Sequence, residues 1–211
     1  LAEKALKCLD LTLADKAFVR CKDYAGLQFV KRIAKLNDKT KQQAEIAAFY
    51  NNFDKAEQFY RDIDRRDLAI ELRKKIGDWF GVVQLSQSGG GTGSSDATLL
   101  EAWDKIGESY ADRHLHDKAA QYFRLAKNWK ELAKCFVKLE QFEKLQKLSD
   151  ELPNGHALLR ELGRDFCDAG LVKPAIETLL RAGDKKGAVD ACILLNKWSE
   201  AIELAEEHGL P

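Results

Sequence analysis

The chain has 211 residues, of which 45% are hydrophobic and 32% charged. That is enough apolar surface for a core, with more charge than an average domain carries, a balance that suits a body with much surface. Lysine plus arginine and aspartate plus glutamate number 34 each, so the net charge is zero, and nothing marks the whole chain as a nucleic-acid binder. Its longest apolar runs fall far short of the roughly twenty residues that a membrane span requires.

No signal peptide or lipidation motif is legible at either end. The chain holds no methionine and opens on Leu-Ala-Glu-Lys in what reads as mid-helix, so an internal piece of a longer protein is expected. Proline is rare, at Pro153, Pro174 and Pro211, and period-two runs of β-branched residues are missing. The fold class expected is therefore all-α.

In chain order, Leu1 to Leu9 reads as the tail of a helical pair. The clearest element is Asp64 to Leu85, DRRDLAIELRKKIGDWFGVVQL. It carries one apolar stripe in Leu68, Ala69, Leu72 and Ile76, a turn at Gly77-Asp78, and a second stripe in Trp79, Val82, Val83 and Leu85. Helices this short are marginal alone in water, so the pair needs neighbours.

With Trp79 as a ruler, equivalent anchors fall at Tyr24, Phe53, His116, Phe142, Val172 and Trp198, and three of the six spacings are 26 residues. Three residues after each anchor come Leu27, Ala56, Val82, Ala119, Leu145, Ala175 and Ala201. Six before come Phe18, Ala47, Arg73, Tyr110, Phe136, Phe166 and Cys192, with Arg73 the one misfit. Nine before, residues such as Ala44, Gly107, Ala133 and Gly163 are small, which lets paired helices approach closely.

The pattern predicts about seven short hairpins resembling tetratricopeptide repeats, forming a single alpha-solenoid segment over 1–211. A flexible glycine-serine loop, SQSGGGTGSS, interrupts it at 86–95, and Leu148 to His156 reads as a shorter loop of the same kind. Asn52, Asp78 and Gly183-Asp184 fit helix boundaries. Glu57 with Arg61 and Glu71 with Lys75 fit supporting i,i+4 pairs.

A search for chemistry returns no catalytic, cofactor-binding or metal-ligating residues. No GxGxxG follows a strand, and there is no Walker loop, HExxH or GxSxG. His114 and His116, two apart on a helical turn, point to different faces, and no cysteine is near them in sequence. Carboxylates are scattered, so no acid/base pair can be named. Five cysteines without a CxxC spacing read as free thiols, mostly packed in helical stripes. Lys31-Arg32-Lys35 and Arg61-Arg65-Arg66 lack an aromatic ladder, so no nucleic-acid partner is expected. Residues 1–76 hold 17 basic and 12 acidic side chains, a mild asymmetry between the two ends.

The stretches AFVRCKDY (Ala17 to Tyr24), FVKR (Phe29 to Arg32), DRRDLAIELR (Asp64 to Arg73), GDWF (Gly77 to Phe80), ADR (Ala111 to Arg113) and AVDACILLNKWSEAIELA (Ala188 to Ala205) resemble the solenoid of the WD-repeat subunits of intraflagellar transport complex A. The resemblance implies a non-enzymatic scaffold without cofactors, whose partners are other intraflagellar transport A subunits. It implies a place in the cilium or flagellum and basal body, on the cytoplasmic side. It further implies roles in retrograde transport and in ciliary entry of membrane proteins, where the whole complex acts as a cargo adaptor. A coatomer-like vesicle coat, a peptide-binding helical adaptor and an enzyme-associated domain are the alternatives. The unrepeated charged turn Asp64, Arg65, Arg66 and Asp67 is the candidate partner contact. The anchors Tyr24, Phe53, Trp79, His116, Phe142 and Trp198 are expected to be architectural, with their aromatic rings mostly in the core.

Overall fold

A computed structural model describes residues 1–88 and 94–209, and the described residues form fifteen helices and no strand. These are α1 (Ala2–Lys7), α2 (Leu11–Cys21), α3 (Tyr24–Ile33), α4 (Lys39–Phe49), α5 (Phe53–Asp62), α6 (Arg66–Ile76), α7 (Trp79–Ser88) and α8 (Ser94–Asp112). They continue with α9 (His116–Leu125), α10 (Trp129–Lys138), α11 (Phe142–Glu151), α12 (Leu158–Asp168), α13 (Val172–Arg181), α14 (Lys185–Leu194) and α15 (Trp198–His208). The all-α class and the hairpin register are as expected. Helix α1 is the tail, and the rest pair as α2/α3 through α14/α15. Every anchor, from Tyr24 to Trp198, is the first residue of the second helix of its pair.

One turn produces this regularity. The residue two before each anchor is left-handed: Lys22, Asn51, Gly77, His114, Glu140, Gly170 and Asn196 all have φ between 55° and 76°. The next amide reaches back to the carbonyl six before the anchor, as in Asp23 N–H to Phe18 O at 3.1 Å, Asn52 to Ala47 at 2.8 Å and Leu171 to Phe166 at 2.9 Å. This is the Schellman closure, which satisfies helix-end carbonyls with main-chain donors. It also closes α1, α5, α9 and α13, at Leu9, Asp64, Lys127 and Gly183. The junctions α3–α4 and α11–α12 do not use it.

By its contacts the chain divides into two compact units, 1–102 and 103–211. In the first, Leu6, Phe18, Phe29, Val30, Ile33 and Ile46 form one apolar cluster, and Ala44, Tyr60, Ala69 and Leu85 form another. In the second, a larger cluster centres on Phe123, Leu132, Leu145, Leu148, Leu162 and Phe166. Leu179, Ala188 and Ala191 make a smaller one. Small residues admit the partner helix as expected. A Cβ on Gly107 would lie 2.8 Å from the Phe123 ring, and one on Gly163 would lie 2.5 Å from Leu179.

Several expectations are corrected. The anchor aromatics are not core: Phe53, Trp79 and Phe142 are half-buried, while Tyr24 is 75% and Trp198 58% exposed. A first-turn residue beside a tight turn sits at the rim, so burial falls three and seven residues on, as at Ala119 with Phe123 and Ala175 with Leu179. Helical structure also runs further into the glycine-serine tract than its composition suggests, since Ser86 to Ser88 end α7 and Ser94-Ser95 begin α8. Gly89 to Gly93 lie outside the described residues. Leu148 to Glu151 likewise belong to α11, leaving 152–157 as the loop. Of the cysteines, all free, Cys135 and Cys192 are buried and Cys167 is half-buried, but Cys8 and Cys21 are exposed near helix ends.

Candidate interaction surfaces

The turn Asp64 to Asp67 joins α5 to α6 and uses the same left-handed geometry as the hairpin turns, with Asp64 at φ 54°. What sets it apart is its charge. The Arg65 guanidinium donates to both oxygens of Asp67, Nε to Oδ1 at 2.9 Å and Nη2 to Oδ2 at 2.6 Å. Arg66 Nε lies 3.9 Å from Asp64 Oδ1, and the Asp64 side chain is 92% exposed. The hydrogen bonds from Arg65 hold the Asp67 carboxyl below its usual range. The four charges therefore balance one another on an accessible corner, where such pairs contribute little to stability.

Arg73, the misfit of the repeat register, has a local reason. Its side chain is 15% exposed and gathers three carboxylates from two hairpins. Nη2 lies 2.8 Å from Asp54 Oδ1, Nε donates to Glu57 Oε2 at 2.7 Å, and Nη1 donates to Asp78 Oδ2 at 3.0 Å. Asp54 and Glu57 come from the first turns of α5, and Asp78 precedes α7. Asp78 also accepts from Gly81 N–H at 3.0 Å, closing the start of α7. Burial pulls the Arg73 pKa down, but its bonds to Asp54 and Glu57 outweigh that and raise it overall. Glu57 also meets Arg61 at 3.4 Å, and Glu71 meets Lys75 at 2.8 Å, the two i,i+4 pairs expected.

Within the same unit, α3, α4, α5 and α6 enclose a groove of about 380 Å³. Its floor is apolar: Phe29 stacks on Phe49 with ring centroids 4.0 Å apart, beside Phe53, Leu68 and Leu72. Its rim is polar. Glu45 accepts from Arg32 Nη2 at 2.9 Å and from the Tyr60 hydroxyl at 2.8 Å, and Arg32 also lies over the Phe29 ring at 5.4 Å. Burial, reinforced by the bond to Glu45, pushes the Tyr60 phenol well above its ordinary range. The sequence reading missed this groove. Its signal is Phe49, four before an anchor, where Arg20, Lys75, Asp112, Lys138 and Asp168 stand in five other hairpins.

His114 occupies the left-handed turn position and His116 starts α9, with ring centroids 6.0 Å apart. Among the described residues, no three His, Cys, Asp or Glu side chains gather as a metal site would require. Among the same residues, no helix is long and apolar enough to cross a membrane.

The arrangement is a series of helical surfaces, and the comparisons agree with the resemblance read from DRRDLAIELR and GDWF. Over 210 residues, 100% of its length, the chain is 45% identical to WD repeat-containing protein 35 of Rattus norvegicus. The chain is a homologue of one segment of that protein. It is 44% identical to WD repeat-containing protein 35 of Homo sapiens, again over 210 residues. It is 23% identical over 212 residues to intraflagellar transport protein osm-1 of Caenorhabditis elegans. It spans 18% of the length of the rat and human relatives. No family model matches the chain.

Proposed function

We propose that the chain is a non-enzymatic scaffold segment that makes subunit contacts within intraflagellar transport complex A. On this reading it serves retrograde ciliary transport and the entry of membrane proteins into cilia, and it resides at the cilium and basal body on the cytoplasmic side. The observation that carries the reading is the 45% identity to WD repeat-containing protein 35 over the whole chain. A weaker likeness to an intraflagellar transport protein of Caenorhabditis elegans supports it. Helical hairpins presenting charged faces suit such a role, because charged faces select partners by complementarity.

Asp64, Arg65, Arg66 and Asp67 are the proposed partner contact. They are accessible, and among the described residues their charges pair with one another, so a partner can exchange those pairs without disturbing the core. The experiment is co-purification of the tagged chain with the other complex A subunits. At least one subunit is expected to be retained, with binding weakened when Arg65 and Arg66 are both changed to glutamate. Retention of none by the folded chain overturns the scaffold reading. Undiminished retention by the double variant removes only the assignment of the turn.

A further inference from the structure

We propose that Arg181 is a latch that holds the 152–157 strap closed against α13, and that the strap opens as a local unit when the guanidinium is removed while the surrounding helices stay folded. The usual main-chain closure is absent at the end of α11. Among the junctions between α8 and α15, only α11–α12 lacks a left-handed residue directly at the helix end with an amide that reaches back to its carbonyls; Leu152 there is extended, and the left-handed Gly155 comes later in the strap. The carbonyls at the end of α11 need donors from elsewhere.

Arg181, the last residue of α13, reaches one of them and a carbonyl of the strap beyond. Its Nη1 donates to the Ser149 carbonyl at 3.0 Å and its Nη2 to the Leu152 carbonyl at 2.6 Å. Nε donates to Asn154 Oδ1 at 2.9 Å, and Nη1 also meets Asp150 Oδ1 at 3.4 Å. The Arg181 carbonyl in turn accepts from Gly155 N–H at 2.8 Å. One residue therefore bonds to four residues of the helix end and strap through its side chain and to a fifth through its main chain. The planar fork of a guanidinium can reach diverging acceptors in this way, and an ammonium cannot.

The remaining hydrogen bonds of the strap are local: Leu152 N–H to Ser149 O, His156 N–H to Pro153 O and Leu158 N–H to His156 Nδ1, each at 3.2 Å, and Leu159 N–H to His156 O at 3.0 Å. Its flanks are fixed independently. Leu152 and Leu158 are buried in the main apolar cluster, and the buried Ser149 and Thr178 hydroxyls share a hydrogen bond at 3.2 Å. Opening is thereby confined to 153–156, and α11 and α13 remain in register. The sequence pattern agrees. At the position nine after the anchor, the other hairpins carry Ile33, Asp62, Ser88, Leu125, Glu151 and Glu207, and only this one carries a base.

The test is native-state hydrogen exchange on the full chain, comparing the natural sequence with Arg181→Ala and Arg181→Lys. In Arg181→Ala, the Gly155 and His156 amides are expected to exchange at least about tenfold faster, with Phe166 and Leu148 unchanged, the pattern of a local opening. Arg181→Lys is expected to fall between, since it keeps the charge and loses the fork. Unchanged exchange at Gly155 and His156 overturns the proposal. Equal acceleration at Phe166 overturns it too, since Arg181 would then support the whole unit rather than the strap. A lysine variant as protected as the natural chain shows that charge, not the fork, does the holding, and refutes the latch as described.

Discussion

Arg73 and Arg181 both stand where the repeat offers no place for a base, and their surroundings differ. Arg73 is ringed by the carboxylates of Asp54, Glu57 and Asp78, whereas Arg181 is held mainly by the carbonyls of Ser149 and Leu152 and the amide oxygen of Asn154. The first balances buried charge, and the second completes main-chain hydrogen bonding where a turn is missing. The same side chain therefore answers two different deficits, and the partners alone reveal which. A charge balancer strands little-exposed ions when it is lost, while this fork strands chiefly neutral acceptors that water can reach through an opened loop, beside the exposed Asp150 carboxylate.

The largest effect should follow from Arg73→Ala. It leaves Glu57, itself little exposed, without its main cation, and should cost about 3 kcal/mol in urea unfolding. An unchanged midpoint would erase the contrast with Arg181. Next, Gly163→Ala should cost about 2 kcal/mol by overpacking α12 against Leu179. It also sharpens the comparison, because Leu179 lies two residues before Arg181. Faster exchange of Gly155 in this variant would show that the seating of α13, rather than the guanidinium, holds the strap.

A control that touches neither set of arginine bonds is Trp198→Ala. Its ring is largely exposed, so the loss should stay below about 1 kcal/mol in thermal melts, far from the roughly 3 to 5 kcal/mol of a buried aromatic. The smallest effect should come from Arg65→Ala. Its pair with Asp67 is exposed on both sides, so the melting temperature should not move measurably. A measurable fall there would place a third structural arginine beside the other two.

The hairpin register was legible because one turn fixes it. The link of two or three residues leaves little freedom in spacing, so the anchors Tyr24 to Trp198 mark helix starts without exception. Their burial was not legible. A large apolar residue recurring at one position reads as core, but at a helix start it covers the turn from the rim, and the buried ring belongs to residues such as Tyr60 and Phe123 further along. Arg73 was visible as a misfit. Its partners Asp54 and Glu57 were not, because they lie 19 and 16 residues away, in the preceding hairpin. The stacking of Phe29 on Phe49 was hidden for the same reason, since pairing across helices leaves no local period in the sequence.

The turn that sets the register is closed entirely by main-chain donors and acceptors. Leucine, lysine, asparagine, aspartate, histidine and glutamate all occupy its left-handed position, at a conformational cost on the order of 1 kcal/mol for each such non-glycine residue. The repeat can therefore lose its written motif at these corners while keeping its geometry. It also holds an untapped reserve. Glycine at Lys22 or Glu140 would relieve that cost without altering any helix face, making the array sturdier while leaving its recognition surfaces as they are.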